Sequence, residues 1–170
     1  MHSPGSTLRR FTPWQPWTQR SKMADIRYPG VYVIAHAGDS LAHRPFSWRK
    51  EIIYIGMTNA DAGLRGRLLQ FDNTIRGKTG HGGADRVRYA YRDYRKLKGR
   101  LYAAVCIFKC NVASNKPSDL RIMGEVAEFE YRCLATFAEK FHKLPRFNDK
   151  KGSPKYSLTV GRKRHLRASA

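Results

Sequence analysis

An α+β fold, built on a small three-stranded mixed or antiparallel sheet flanked by helices, is the class this 170-residue sequence predicts. Three observations lead there. β-Branched and aromatic runs recur at 30–36, 51–57 and 101–108, separated by turn-rich stretches. Two longer segments, 63–75 and 119–143, space their apolar residues at the helical period. The order strand, strand, helix, strand, helix shows no internal repeat and suits one domain with tails.

The first strand, Gly30-Val-Tyr-Val-Ile-Ala-His36, follows Pro29, and a polar stretch from Ala37 to Lys50 leads to the second, Glu51-Ile-Ile-Tyr-Ile-Gly-Met57. The pair predicts an antiparallel hairpin with a long loop. In the first helix Leu64, Leu68, Phe71 and Ile75 form the apolar face, and Arg65, Arg67 and Arg76 the other. Gly77 to Asp85 has the glycine content of a loop. Arg86 to Arg100 interleaves arginines and lysines with Tyr89, Tyr91 and Tyr94, and Leu101 to Phe108 reads as a buried strand. Ser118 is placed to cap the second helix and Leu144-Pro145 to stop it. Residues 1–23 carry Trp14, Trp17, several prolines and only basic charges, and read as a loose tail whose tryptophans can dock on the domain or on DNA. The folded unit is then 24–148, and 149–170 a mobile basic tail, its Arg162-Lys-Arg-His-Leu-Arg167 at most a non-specific clamp.

Charge narrows the function classes. Thirty-three Lys and Arg against 13 Asp and Glu leave +20, a surplus that repels itself unless a polyanion sits nearby, and nucleic acid is the commonest such partner. No apolar run approaches the roughly 20 residues of a membrane span, and Met1 to Met23 lacks the apolar middle of a secretory signal. Three cysteines, an odd number, argue for a reducing, cytoplasmic setting rather than a disulfide scaffold. Cys106 and Cys110 have no second Cys/His pair at zinc-site spacing and read as structural thiols.

Tyr32 and Tyr54, on neighbouring strands, can share one face of the sheet. A phenol titrates near 10 and becomes a base only where a cation such as Arg67 favours the phenolate. On the second helix Met123, Val126, Glu130, Cys133, Leu134, Phe137 and Phe141 fall on one stripe, while Glu128 and Glu139 face away and Glu125 lies at the margin. A carboxylate on a core-facing stripe must be paired, protonated or bound to a cation. Beside nucleic acid, Mg²⁺ suits it, since that ion takes one or two carboxylates with waters and phosphate oxygens.

These segments together resemble the GIY-YIG nuclease superfamily. Gly30-Val31-Tyr32 and Tyr54-Ile55-Gly56 are similar to the two name-giving motifs, Gly63-Leu-Arg-Gly-Arg67-Leu-Leu to the helix with the essential arginine, Glu130 to the metal-binding glutamate, and Pro145-Arg-Phe-Asn148 to the closing segment. The resemblance covers about Tyr28 to Asn148. It implies a DNA endonuclease of restriction, phage or repair type, using Mg²⁺ or Mn²⁺ on Glu130. It further implies that Tyr32 accepts the proton of the attacking water, directly or through Tyr54 or His81, that Arg67 stabilises the phosphorane charge, and that Gly30, Gly56 and Asn148 hold the site together. Double-stranded DNA is the implied partner, tracked by Arg65, Arg86, Arg88, Tyr91, Arg92, Arg95, Lys96 and Lys98. One site cuts one strand, so a homodimer would serve a double-strand cut. Two features depart from the family. Phe71 stands where many members have a His or Tyr, which passes that role to His81 on the glycine-rich loop. The spacer between the motifs is long, and its His43, Arg44, Trp48, Arg49 and Lys50 suit DNA contact as well as they suit a solvated loop. Phe71 also leaves open a catalytically impaired nucleic-acid-binding module of the same fold; a ribonuclease is a third reading.

Overall fold

The computed structural model of the chain describes residues 9–157. Its elements are β1 (Gln15–Pro16), a 3₁₀ turn (Trp17–Lys22), β2 (Gly30–His36), β3 (Ile52–Thr58), α1 (Gly63–Arg76), α2 (Gly82–Ala90), α3 (Tyr94–Lys98), β4 (Leu101–Ile107) and α4 (Pro117–Phe141). The sheet runs β1-β4-β2-β3 and every pairing is antiparallel. The three strands expected from sequence are present; the fourth, β1, is two residues from the N-terminal segment.

Alternation along β2 and β4 gives each face of the sheet its own core. On one face Tyr32, Ile34, Ala103 and Val105 are buried against Leu64, Leu68 and Phe71 of α1 and Ala84 and Val87 of α2. On the other Val31, Val33, Ala104 and Cys106 meet Val126, Cys133 and Phe137 of α4. β2 lies in the middle and β3 at the rim.

The N-terminal segment departs from expectation. Trp14 and Trp17 are fully buried, one in each core. Thr12 bonds the backbone of Val105 in both directions, and the Trp17 indole donates to Asp72 at 2.7 Å. Asp72, itself buried, also holds Arg20 and Arg76 at 2.8 Å and accepts from Tyr94. The folded unit therefore begins well before residue 24; two indoles bury too much apolar surface to stay outside a core. The long β2–β3 loop is tied in as well: Leu41 is fully buried and His43 and Arg44 exchange backbone bonds with Trp14. This loop lies on the α4 face, where Phe46 and Trp48 pack with Phe11.

Three smaller corrections concern ends. α4 starts at Pro117 with no side-chain cap, so Ser118 does not cap it, and its C-cap is His142 in the left-handed region (φ 56°). Residues 82–90, expected partly as loop, are helical. Residues 149–157 are docked, not mobile: Ser153 is buried, Ser157 donates to Asp85, and Arg86 donates to the carbonyls of Lys150 and Ser153. The basic cluster Arg162–Arg167 lies outside the described residues. Among the described residues no helix is long and apolar enough to cross a membrane.

Candidate active site

Register brings the two tyrosines together. Tyr32 stands opposite Gly56 and Tyr54 opposite Ile34, which makes the tyrosines diagonal neighbours on one face, ring centroids 6.0 Å apart. Each ring rests on a glycine. A Cβ on Gly56 would lie 2.5 Å from the Tyr32 hydroxyl, and one on Gly83 would lie 2.3 Å from the Tyr54 ring. Gly30 is needed elsewhere, since a Cβ there would lie 2.2 Å from the Cys106 carbonyl of β4.

The start of α1 is fixed by Gly63 (φ 59°), packed against the Arg27 carbonyl, and by bonds from Leu64 and Arg65 to the Tyr28 and Ile26 carbonyls. One turn on, Arg67 donates to Gln70 at 2.8 Å, and Gln70 holds the Gly80 carbonyl. The Arg67 Nε is buried with no hydrogen-bond partner among the described residues. Its charge acts on Tyr32, Tyr54, His81 and Glu130 alike.

His81 is not on a flexible loop. It is only 2% exposed, and it is the N-cap of α2. Its ring packs over Phe71, centroids 4.9 Å apart, so the imidazole stands directly against that phenyl ring. The backbone N–H of Ala84 donates to Nδ1 at 3.1 Å, which assigns the ring hydrogen to Nε2. Nε2 lies 2.7 Å from the Tyr32 hydroxyl and therefore donates to it. Burial first, then Arg67, lowers the imidazole to about 3, so it stays neutral. His81 thus supplies a hydrogen bond and has no free lone pair to take a proton.

Tyr32 is fully buried, and its hydroxyl is raised well above 10 by burial and then by Tyr54, with Arg67 opposing. Accepting from His81, it directs its own hydrogen to Tyr54, whose phenolate that bond favours. Tyr54 is raised by burial, with the Arg67 charge opposing. Of the two phenols it is Tyr54 that lines a cavity of about 290 Å³, shared with Arg67, His81, Gly82, Arg86 and Asn148 among others.

Glu130 arrives from the other layer, around the β3 rim. An edge strand leaves outward N–H and C=O groups unpaired, and here they are covered in sequence. Phe147 N–H donates to the Ile53 carbonyl at 3.0 Å, Asn148 bonds both Ile55 groups through its side-chain amide, and Glu130 accepts from the Met57 backbone. Burial raises the Glu130 carboxyl, and Arg67 and the Met57 bond oppose that rise. A half-buried carboxylate of this kind fits a hard divalent cation, whose charge would offset the burial, with water and phosphate oxygens as the remaining ligands. Among the described residues no group of three or more His, Cys, Asp and Glu is gathered for a metal. Glu125 is exposed and paired with Arg9 at 2.7 Å, and Glu128 with Arg132 at 2.6 Å.

The proposed DNA-tracking residues are spread more widely. Arg86 lines the cavity, and Arg65 is exposed on α1. Arg88 and Arg92 stack on Tyr156 and Tyr89, Lys96 pairs with Asp93 at 3.8 Å, and Arg95 and Lys98 are exposed on α3. Tyr91 is half-buried against His36 and Phe147, ring centroids 4.6 and 6.1 Å away, so packing occupies the ring expected to stack on bases. Burial holds Cys106 at about 11 and Cys133 at about 12, as befits structural thiols.

Sequence reasoning missed Gln70, Gly83, Lys150 and Lys155. Gly83 had a signal, the Gly82-Gly83 pair beside a histidine; the lysines were hidden in a uniformly basic segment. Comparison of the chain with family models, with curated proteins and with solved structures finds no match.

Proposed function

We propose that this protein is a metal-dependent nuclease of the GIY-YIG kind that hydrolyses phosphodiester bonds in double-stranded DNA. One observation carries the reading: Tyr54, His81 and two guanidiniums, Arg67 and Arg86, line one cavity, with the Tyr32 hydroxyl bonded to His81 behind them. Arg67 and Arg86 hold the phosphate, and Arg67 stabilises the charge that gathers on it during attack. Tyr54 reaches the cavity; the Tyr32 hydrogen bond and the Arg67 charge both favour its phenolate, the form that takes the water's proton at Oη. Tyr32 orients Tyr54 from behind, and His81 orients Tyr32. Glu130 would hold Mg²⁺ or Mn²⁺, which supplies Lewis-acid stabilisation of the leaving oxygen when bound.

Supercoiled plasmid incubated with Mg²⁺, with Mn²⁺ and with EDTA tests this. Nicking with either metal and none with EDTA is expected. Salt-sensitive retardation in a gel without nicking would instead favour the binding module, the reading that Phe71 supports and the His81 ring over it opposes. Cleavage confined to labelled single-stranded RNA run in parallel would make the enzyme a ribonuclease.

A further inference from the structure

Residues 149–157, read from sequence as part of a mobile basic tail, are fastened at both ends. Asn148 is bonded to Ile55, and Asp149 accepts from the backbone of Lys151 and Gly152 at 3.0 and 3.1 Å, closing a turn. Ser153 is buried, Tyr156 lies 4.0 Å under the Arg88 guanidinium, and the Ser157 hydroxyl meets Asp85 at 2.5 Å. The segment delivers two cations to the cavity beside Tyr54, where Lys150 and Lys155 join Arg67 and Arg86. The Lys155 ammonium comes within 3.5 Å of the place a Gly82 Cβ would take, over the start of α2. Among the described residues no carboxylate lines this cavity. Asp85 lines the adjoining hollow with Lys155 and is engaged by Ser157, and Asp149 is turned to its own backbone. Four cationic side chains drawn around one hollow make it attractive to an anion.

We infer that residues 149–157 form a strap that completes a phosphate-binding cavity, in which Lys150 and Lys155 contact the backbone phosphates of a bound nucleic-acid strand. The anion site stands on this geometry; the choice of a nucleic-acid phosphate over a free one rests on the nuclease reading.

The test uses the full chain in EDTA, with inorganic phosphate and a short DNA duplex as probes in separate titrations. Lys150→Gln/Lys155→Gln is compared with Lys140→Gln/Lys143→Gln, which removes equal charge from exposed positions at the end of α4 and beyond it. The strap variant is expected to lose phosphate binding, to weaken duplex binding about tenfold more than the control, and to flatten the log K against log salt slope by about one to two. Equal weakening in the two variants overturns the proposal. Loss of phosphate binding with duplex affinity unchanged from the control overturns its nucleic-acid part. If the double variant melts, Lys155→Gln alone is judged by the same comparison. A protein that binds duplex through these lysines but never nicks plasmid would defeat the nuclease reading and keep the strap; a nicking enzyme indifferent to their loss would do the reverse.

Discussion

Mild acid should destabilise this protein through His81. The imidazole is held near 3 in the folded state against 6.5 for the free group, so below pH 6.5 the unfolded chain binds a proton that the folded one refuses. Stability from this residue is therefore complete above pH 6.5 and is lost as pH falls toward 3, at about 1.4 kcal/mol per pH unit. Going from pH 7 to pH 5 enters that window by about one and a half units, a loss of about 2 kcal/mol, or on the order of 1 M in urea midpoint. The comparison is His81→Asn. Its side-chain oxygen can still cap α2 through the Ala84 N–H, but it does not titrate. Urea unfolding of both proteins, followed by tryptophan fluorescence at pH 7 and pH 5, gives the difference. His36, also lowered by burial and by Arg100, is common to both and cancels. Parallel losses in the two proteins would refute the neutral, donor-only histidine, and with it the assignment of Tyr54 as the base.

Other perturbations have separable outcomes. Glu130→Gln should abolish metal-dependent nicking while duplex affinity in a gel stays equal or rises slightly; retained nicking would remove Glu130 from the metal site. Arg67→Ala should slow nicking by about 10²–10³-fold, and a merely twofold loss would contradict its role. Gly83→Ala pushes a methyl into the Tyr54 ring, so nicking should fall at least about tenfold, while crowding costs about 1–3 kcal/mol in a thermal melt; an unimpaired enzyme would mean that Tyr54 does not need its place. Asp72→Ala strips partners from Arg20 and the Trp17 indole and should cost about 3–5 kcal/mol in urea unfolding, with little change only if the N-terminal segment contributes nothing to the core.

What could be read in advance was what has a local pattern. Runs of β-branched and aromatic residues marked β2, β3 and β4, and helical spacing marked α1 and α4 within about two residues of their ends. The tyrosine pair followed from placing those two runs on neighbouring strands. The errors have physical causes. Prolines around Trp14 and Trp17 look like linker, but two indoles close in sequence can serve opposite faces when the chain passes the sheet edge at β4. Thr79-Gly-His-Gly-Gly83 looks like a loop because glycine usually signals freedom; here Gly83 is small to admit a phenol ring, and His81 is fixed by the Ala84 N–H on its ring and by its own N–H on the Thr74 hydroxyl. Lys150 and Lys155 carried no pattern at all, since only the fold says which of many cations meet around one hollow.

The covering of the β3 rim has a consequence for assembly. With Phe147, Asn148 and Glu130 already bonded to Ile53, Ile55 and Met57, that margin offers no vacant ladder to a second molecule's strand. Any self-association compatible with an intact site has to use a different surface, and a variant shortened before Phe147 would trade the cover of that strand for an adhesive edge.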